Sequence, residues 1–164
     1  MSAAGIRVGI GYDSHRFAPD RPLIIGGVTI PHELGLTGHS DADVLTHAVI
    51  DALLGAAGAG DIGSHFPPSD ERWRDADSIG LLTLVLTRIE GRPVNVDATV
   101  ICEEPKIGPH REAIEARLSG AVGAPVTVKA TTNEGLGAIG RGEGMAAMAV
   151  ALVDSARRDP PADE

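Results

Sequence analysis

The sequence predicts an α/β layered domain. Three observations point there: apolar residues recur at helical spacing from Val44 to Leu53, others alternate from Val94 to Val100, and segments of the two kinds follow one another along the chain. Strands that alternate with helices call for a sheet with helices over one or both faces. The 164 residues suit one compact domain. Residues 1–156 are assigned to that domain. The polar tail 157–164, which carries Pro160-Pro161, is assigned to disorder.

Taken in order, Ile6–Ile10 is β-prone and ends in the turn-like run Gly-Tyr-Asp-Ser-His. Leu23–Ile30 reads as a hairpin around Gly26-Gly27. From Ser40 the period becomes helical through Val44, Ala48, Val49, Ala52 and Leu53, and Gly58 and Gly60 mark the stop. Ser40, followed three residues later by Asp43, has the pattern of a capping box at the helix start. A polar loop spans Asp61–Asp75. Ser78–Ile89 is a second helix, and Pro93–Cys102 alternates as a half-buried strand through Val94, Val96, Ala98 and Val100. Pro109–Val122 is a third helix. Val126–Ala130 is a strand with Val126, Val128 and Ala130 on one face, Gly135–Gly144 is glycine-dense, and Met145–Val153 returns as a strand or an Ala-rich buried segment.

Composition narrows the function classes. A net charge of −9 argues against general nucleic-acid binding, which needs a basic face. A phosphorylated ligand would then have to be met by metals, a few Lys or Arg, or helix N-termini. The single Cys102 has no partner for an internal disulfide, which favours a reducing compartment. No secretory signal and no apolar run of membrane-spanning length is expected, so the protein is read as cytoplasmic.

Several constellations carry chemistry. Asp13-x-His15, if extended, places a carboxylate and an imidazole on one face, and such donors suit zinc. Asp43, His47 and Asp51 recur every four residues on the first helix, so His47 offers a third donor opposite the pair; Asp43 or Asp51 would orient its other ring nitrogen. The same stripe also fits a solvated helix face. His39 and Ser40 fall at a helix start, where free N–H groups favour anions. Asp61-Ile62-Gly63 opens a turn-rich loop. Lys106, just past Cys102 and Pro105, is a candidate phosphate contact. The run from Lys129 through Thr131, Thr132, Asn133 and Glu134 to Arg141 joins hydroxyls, a carboxylate and several glycines. This suits phosphate and a hard cation such as Mg²⁺. It has neither the order of a P-loop nor that of a dinucleotide fingerprint.

Together, Arg-Val-Gly-Ile-Gly-Tyr-Asp-Ser-His-Arg-Phe, the segments 23–31, 38–63 and 103–110, and the run 128–144 resemble the 2-C-methyl-D-erythritol 2,4-cyclodiphosphate synthase family over about Arg7 to Val153. The resemblance implies an α+β sandwich: a four-stranded mixed sheet with helices on one face, packed as a homotrimer with active sites between subunits. It implies zinc, or another divalent ion, at Asp13, His15 and His47, and Mg²⁺ or Mn²⁺ bridging the substrate diphosphate beside Glu134. The implied substrate is 4-diphosphocytidyl-2-C-methyl-D-erythritol 2-phosphate, closed to the cyclic diphosphate with loss of CMP. His39 and Thr132 match the pair that stabilises the transition state, and Ser40 joins His39 at the phosphate. Asp61, Ile62 and Gly63 match the loop around the methylerythritol hydroxyls. Cys102, Pro105, Lys106, Ala130, Thr131 and Thr132 match the cytidine pocket. Arg141 matches a residue near the substrate and the central trimer cavity.

Some positions depart from the family pattern. Pro68 replaces an acid, although Asp70 remains, and Asn133 replaces a threonine. Ala138 replaces a common aromatic, which withdraws the expectation of an isoprenoid-like ligand in the central cavity. Ala42 replaces a glycine expected inside the first helix, where alanine is harmless or slightly stabilising. Two other readings remain open at this level: a metal-dependent phosphoesterase or pyrophosphatase, and a trimeric binding protein with a structural metal.

Overall fold

A computed structural model describes residues 5–156, so the assigned tail 157–164 lies outside the described residues. The elements run β1 (Ile6–Ala18), β2 (Leu23–Ile25), β3 (Val28–Ile30), β4 (Gly35–Leu36), α1 (Val44–Ala57), α2 (Ile62–His65), α3 (Ser78–Arg88), β5 (Arg92–Ile101), α4 (Arg111–Val122), β6 (Val126–Thr131), α5 (Gly137–Gly140) and β7 (Gly144–Asp154). The main sheet has the order β4-β1-β7-β5-β6. Only β5 and β6 pair in parallel, so the sheet is mixed. Four of its strands are those expected. The extra one, β4, adds two residues at the edge, pairing Leu36 with Phe17 and Gly35 with Ala18. β2 and β3 form a separate hairpin.

Alternation along β1 decides how the layers pack. Ile6, Val8, Ile10 and Tyr12 point away from the helices and are 58–66% exposed. The residues between them face α1. A Cβ on Gly9 would lie 2.0 Å from the Ala52 carbonyl oxygen, and one on Gly11 would lie 1.9 Å from that of Ala48. Helix and strand therefore touch backbone to backbone, and no side chain fits between them. β7 continues this surface with small residues: Ala147, Ala149 and Ala151 are buried under the helices, whereas Met148 and Val150 emerge on the opposite face. α1 crosses β1 and β7, α4 covers β6, and α3 packs on both helices, so all three lie on one face. Among the described residues, nothing covers the apolar strip on the other face.

Several expected boundaries move, each for a local reason. The Gly-Tyr-Asp-Ser-His run is strand rather than turn, because each of its residues pairs with β7 between Met145 and Ala149. α1 begins at Val44, not Ser40, because Ala42 adopts φ 56° and Asp43 is the N-cap. Ala42 thus sits in a left-handed turn before the helix, where alanine carries strain that glycine lacks; the expectation of a harmless helical alanine is corrected. In β5 a register irregularity between Pro93 and Asn95 turns Val94 outward, off the buried face of Val96, Ala98 and Val100. The loop 61–75 contains α2 and a single 3-10 turn, Glu71–Trp73.

Candidate active site

The parity of β1 that places Gly9 and Gly11 against α1 continues to Asp13 and His15, which therefore also face the helix side. His47, in the first turn of α1, meets them. Asp13 Oδ2 lies 2.8 Å from His15 Nε2 and 3.0 Å from His47 Nδ1, and the two nitrogens are 3.3 Å apart. His15 Nδ1 is 2.8 Å from the Thr37 carbonyl. A carbonyl only accepts, so this nitrogen carries the proton, and in the neutral ring Nε2 is left with the lone pair that faces the cluster. One carboxylate oxygen and two imidazole nitrogens at these separations fit a divalent ion, and zinc suits the donor set. Three protein donors are one short of a closed tetrahedral site, the arrangement of a catalytic rather than a structural metal.

Electrostatics reinforce this grouping. Burial works to raise the Asp13 carboxyl, but hydrogen bonds and charge from His15 and His47 outweigh it and hold the group at about 2. Burial works to lower His47, and Asp13 overcomes it, so the imidazole is raised.

The groups around His47 differ from expectation. Asp43 is fully buried and turned away. Its two oxygens accept from the backbone N–H groups of Gly26 (2.8 Å), Gly27 (2.7 Å) and Thr46 (3.0 Å) and from the Thr46 hydroxyl (2.7 Å). It thus ties the β2–β3 turn to the start of α1, and burial raises its carboxyl against the pull of those donors. Asp51 accepts from the Ile62 N–H at 2.8 Å. The two acids expected to orient His47 therefore both serve the backbone. His47 Nε2 instead meets Ser40 Oγ at 3.0 Å and Ser78 Oγ at 2.8 Å. Ser78 carried no signal in the sequence, since it stands at the start of an ordinary amphipathic helix.

Asp13, His15, His39, Ser40, His47, Asp51, Ile62 and Gly63 line one open cleft, closed on its apolar side by Phe66, Pro68, Trp73 and Leu81. Phe66 and Trp73 meet edge to face at 4.9 Å. Asp61 is not among the lining residues; its carboxylate caps α2 by accepting from the Ser64 N–H and hydroxyl at 2.8 and 2.7 Å. Arg21 donates to the Gly38 and Ser40 carbonyls at 3.0 and 2.8 Å and so holds the His39-Ser40 segment.

A second cleft gathers Cys102, Pro105, Lys106, Ala130, Thr131 and Thr132 where β5 and β6 end side by side. Burial pushes the Cys102 thiol up to about 11, which disfavours the thiolate. Past this cleft, Glu103 accepts from the Asn133 N–H (2.9 Å) and the Gly135 N–H (3.3 Å). Glu134 lies 3.4 Å from the Thr132 hydroxyl. Arg141 pairs with Glu143 at 2.7 Å. The predicted site residues thus fall into two groups. Asp13, His15, His39, Ser40, His47, Ile62 and Gly63 form one; the β5–β6 end and the 131–141 loop form the other. The two clefts share no residue.

Comparison with known proteins agrees with this geometry. The YgbB family model matches residues 6–154. The chain is 54% identical over 157 residues to 2-C-methyl-D-erythritol 2,4-cyclodiphosphate synthase of Salinibacter ruber, covering 92% of this chain and 100% of that protein. It is 60% identical over 153 residues to the synthase of Geobacillus kaustophilus, covering 90% and 97%. A solved synthase structure in its CDP-bound form superposes with a TM-score of 0.82 at 38% identity, over 90% of this chain and 100% of that one. The bifunctional IspDF of Campylobacter jejuni gives 0.86 at 38% identity over 93% of this chain, which spans only 44% of that longer protein. Five strands, a three-donor metal cluster and matches along nearly the whole chain converge on one conclusion: this chain belongs to the YgbB family, that of the 2-C-methyl-D-erythritol 2,4-cyclodiphosphate synthases.

Proposed function

We propose that the protein converts 4-diphosphocytidyl-2-C-methyl-D-erythritol 2-phosphate to 2-C-methyl-D-erythritol 2,4-cyclodiphosphate and CMP, a phosphorus–oxygen lyase reaction of non-mevalonate isoprenoid synthesis. The observation that carries this reading is the convergence of Asp13, His15 and His47 on one point at the wall of a cleft, in a chain of this family. An oxygen of the substrate's 2-phosphate forms a bond to the β-phosphorus. The bond from that phosphorus to the bridging oxygen breaks, and CMP leaves with the electron pair. No protein nucleophile is required, which agrees with the raised thiol of Cys102.

Asp13, His15 and His47 would hold zinc or another divalent ion, and Glu134 would help hold Mg²⁺ or Mn²⁺ at the diphosphate. When bound, such ions polarise the phosphoryl oxygens and neutralise charge that a protein at −9 does not otherwise offset. The chain's own groups orient and bind. His39 and Thr132 stabilise charge in the transition state, Ser40 donates to phosphate, and Asp61, Ile62 and Gly63 border the methylerythritol end. Cys102, Pro105, Lys106, Ala130, Thr131 and Thr132 form the cytidine side, Asn133 borders the substrate, and Arg141 lies toward the trimer centre. Positioning and charge stabilisation supply the rate, as in other phosphoryl transfers.

The family resemblance implies active sites between subunits, and two separate clefts that share no residue are consistent with a site completed by a neighbouring copy. The resemblance to the family is what implies a homotrimer, and the uncovered strip of Ile6, Val8, Ile10, Tyr12, Met148 and Val150 supports it by offering an apolar surface for contact between copies. No helix among the described residues is long and apolar enough to cross a membrane, and we place the enzyme in the cytoplasm without nucleic-acid partners.

Product analysis tests the reading: the cytidyl substrate should yield the cyclic diphosphate and CMP in equal amounts. Methylerythritol phosphates with CMP but no cyclic product would instead identify a hydrolase.

A further inference from the structure

The geometry points to Asp41 and Ser78 as positioning residues that fix which nitrogen of His47 faces the metal. This rests on the reading of Asp13, His15 and His47 as a metal site, and goes beyond it by explaining why one tautomer of His47 is present.

The argument is one of donors and acceptors. The Ser78 side chain is fully buried, and its hydroxyl donates to Asp41 Oδ1, while Asp41 Oδ2 accepts the Ser78 backbone N–H at 2.9 Å. As a carboxylate, Asp41 only accepts, so the single hydroxyl proton of Ser78 is committed to it. Ser78 Oγ then has only lone pairs left for His47 Nε2, 2.8 Å away. That contact requires a proton on Nε2, and the imidazole when neutral carries its lone pair on Nδ1. Nδ1 is the atom that lies 3.0 Å from Asp13 and 3.3 Å from His15 Nε2.

The chain is therefore carboxylate, hydroxyl, imidazole, and then the ion. The same logic governs His15 through the Thr37 carbonyl. In the neutral form, both imidazoles thus direct a lone pair at the cluster, because the partners on their far nitrogens only accept. Ser40 Oγ also lies 3.0 Å from Nε2 and accepts the Ala42 N–H at 3.3 Å. Since Nε2 already carries a proton, the Ser40 hydroxyl proton is left for a ligand oxygen in the cleft.

Asp41 and Ser78 need not touch substrate for this; neither lines the cleft of Asp13. Asp41 is held in place, since its N–H donates to the Ala76 carbonyl at 3.1 Å. α3 keeps its own N-cap in Asp77 when Ser78 is changed.

The test uses the full chain and zinc alone, titrated against a chromophoric chelator, with folding followed by circular dichroism. Ser78→Ala and Asp41→Asn should weaken zinc by about 10–100-fold, and Ser78→Thr, which restores the hydroxyl, should recover most of that loss. A long-range ¹H–¹⁵N spectrum of the zinc-loaded wild type needs no variant. It should show the His47 proton on Nε2 and the metal on Nδ1. Ser78→Ala that folds and binds zinc within twofold of wild type overturns the inference, as does metal found on Nε2. A wild type that takes up no zinc overturns the metal reading itself, and so separates the two failures.

Discussion

At the scale of single residues, the metal cluster makes two demands on pH. Asp13, held at about 2, contributes stability that is present above the unfolded aspartate value of about 3.9 and is lost as pH falls through about 2. His47 is raised, so its contribution is full below the unfolded histidine value of about 6.5 and is lost as pH rises through its folded value. The metal-free pair therefore stabilises most between about pH 4 and 6.5, whereas an ion competes with the His47 proton and gains as that proton leaves. The rise in Tm on adding zinc should thus grow from pH 6 to pH 8, measured by calorimetry with and without chelator; a constant increment would contradict the assignment. His47→Ala should lose zinc and turnover together. Ala42→Gly should stabilise the protein by about 1 kcal/mol in urea unfolding, since it relieves φ 56° at a buried alanine. The ligand set was legible chiefly through the family resemblance: spacing alone paired Asp13 with His15 only if their turn-like segment stayed extended, and left His47 equally at home on a solvated helix face. Ser78 was not: it lies 37 positions from Asp41 and 31 from His47, and only folding unites them.

At the scale of elements, α1 and β1 determine the site together. Their backbones approach so closely at Gly9 and Gly11 that the depth of His47 relative to Asp13 is set by contact, not by side-chain packing. Gly11→Ala should therefore cost about 3 kcal/mol, the upper end for overpacking, and should weaken zinc as well because α1 must lift. Urea denaturation and metal titration of the same variant check both. The first helix and the inner part of β5 were readable from period alone, since Val44–Leu53 and Val96–Val100 obey it. Three features were not. The second half of β1 has a turn-like composition and is kept extended by its partner β7; the irregularity at Val94 breaks the alternation; and the true start of α1 depends on Asp43 being claimed by Gly26 and Gly27.

At the scale of the whole molecule, the exposed strip on the far side of β1 and β7 is the surface on which copies should meet. Ile10→Asp, a charge in the middle of that strip, should yield monomers by sedimentation with unchanged circular dichroism, and turnover should fall at least 100-fold because the two clefts part. A variant that is monomeric yet fully active would place the whole site within one chain. Composition and spacing show that this face is apolar but not what covers it.

The strict alternation of β1 has a kinetic consequence. One side of the strand holds metal ligands and the other is the face proposed to meet neighbours, so on that proposal the same thirteen residues answer to both. Specific activity should then depend on enzyme concentration, declining on dilution more steeply than first order as assemblies fall apart. Metal uptake, which needs only one chain, should stay constant over the same range.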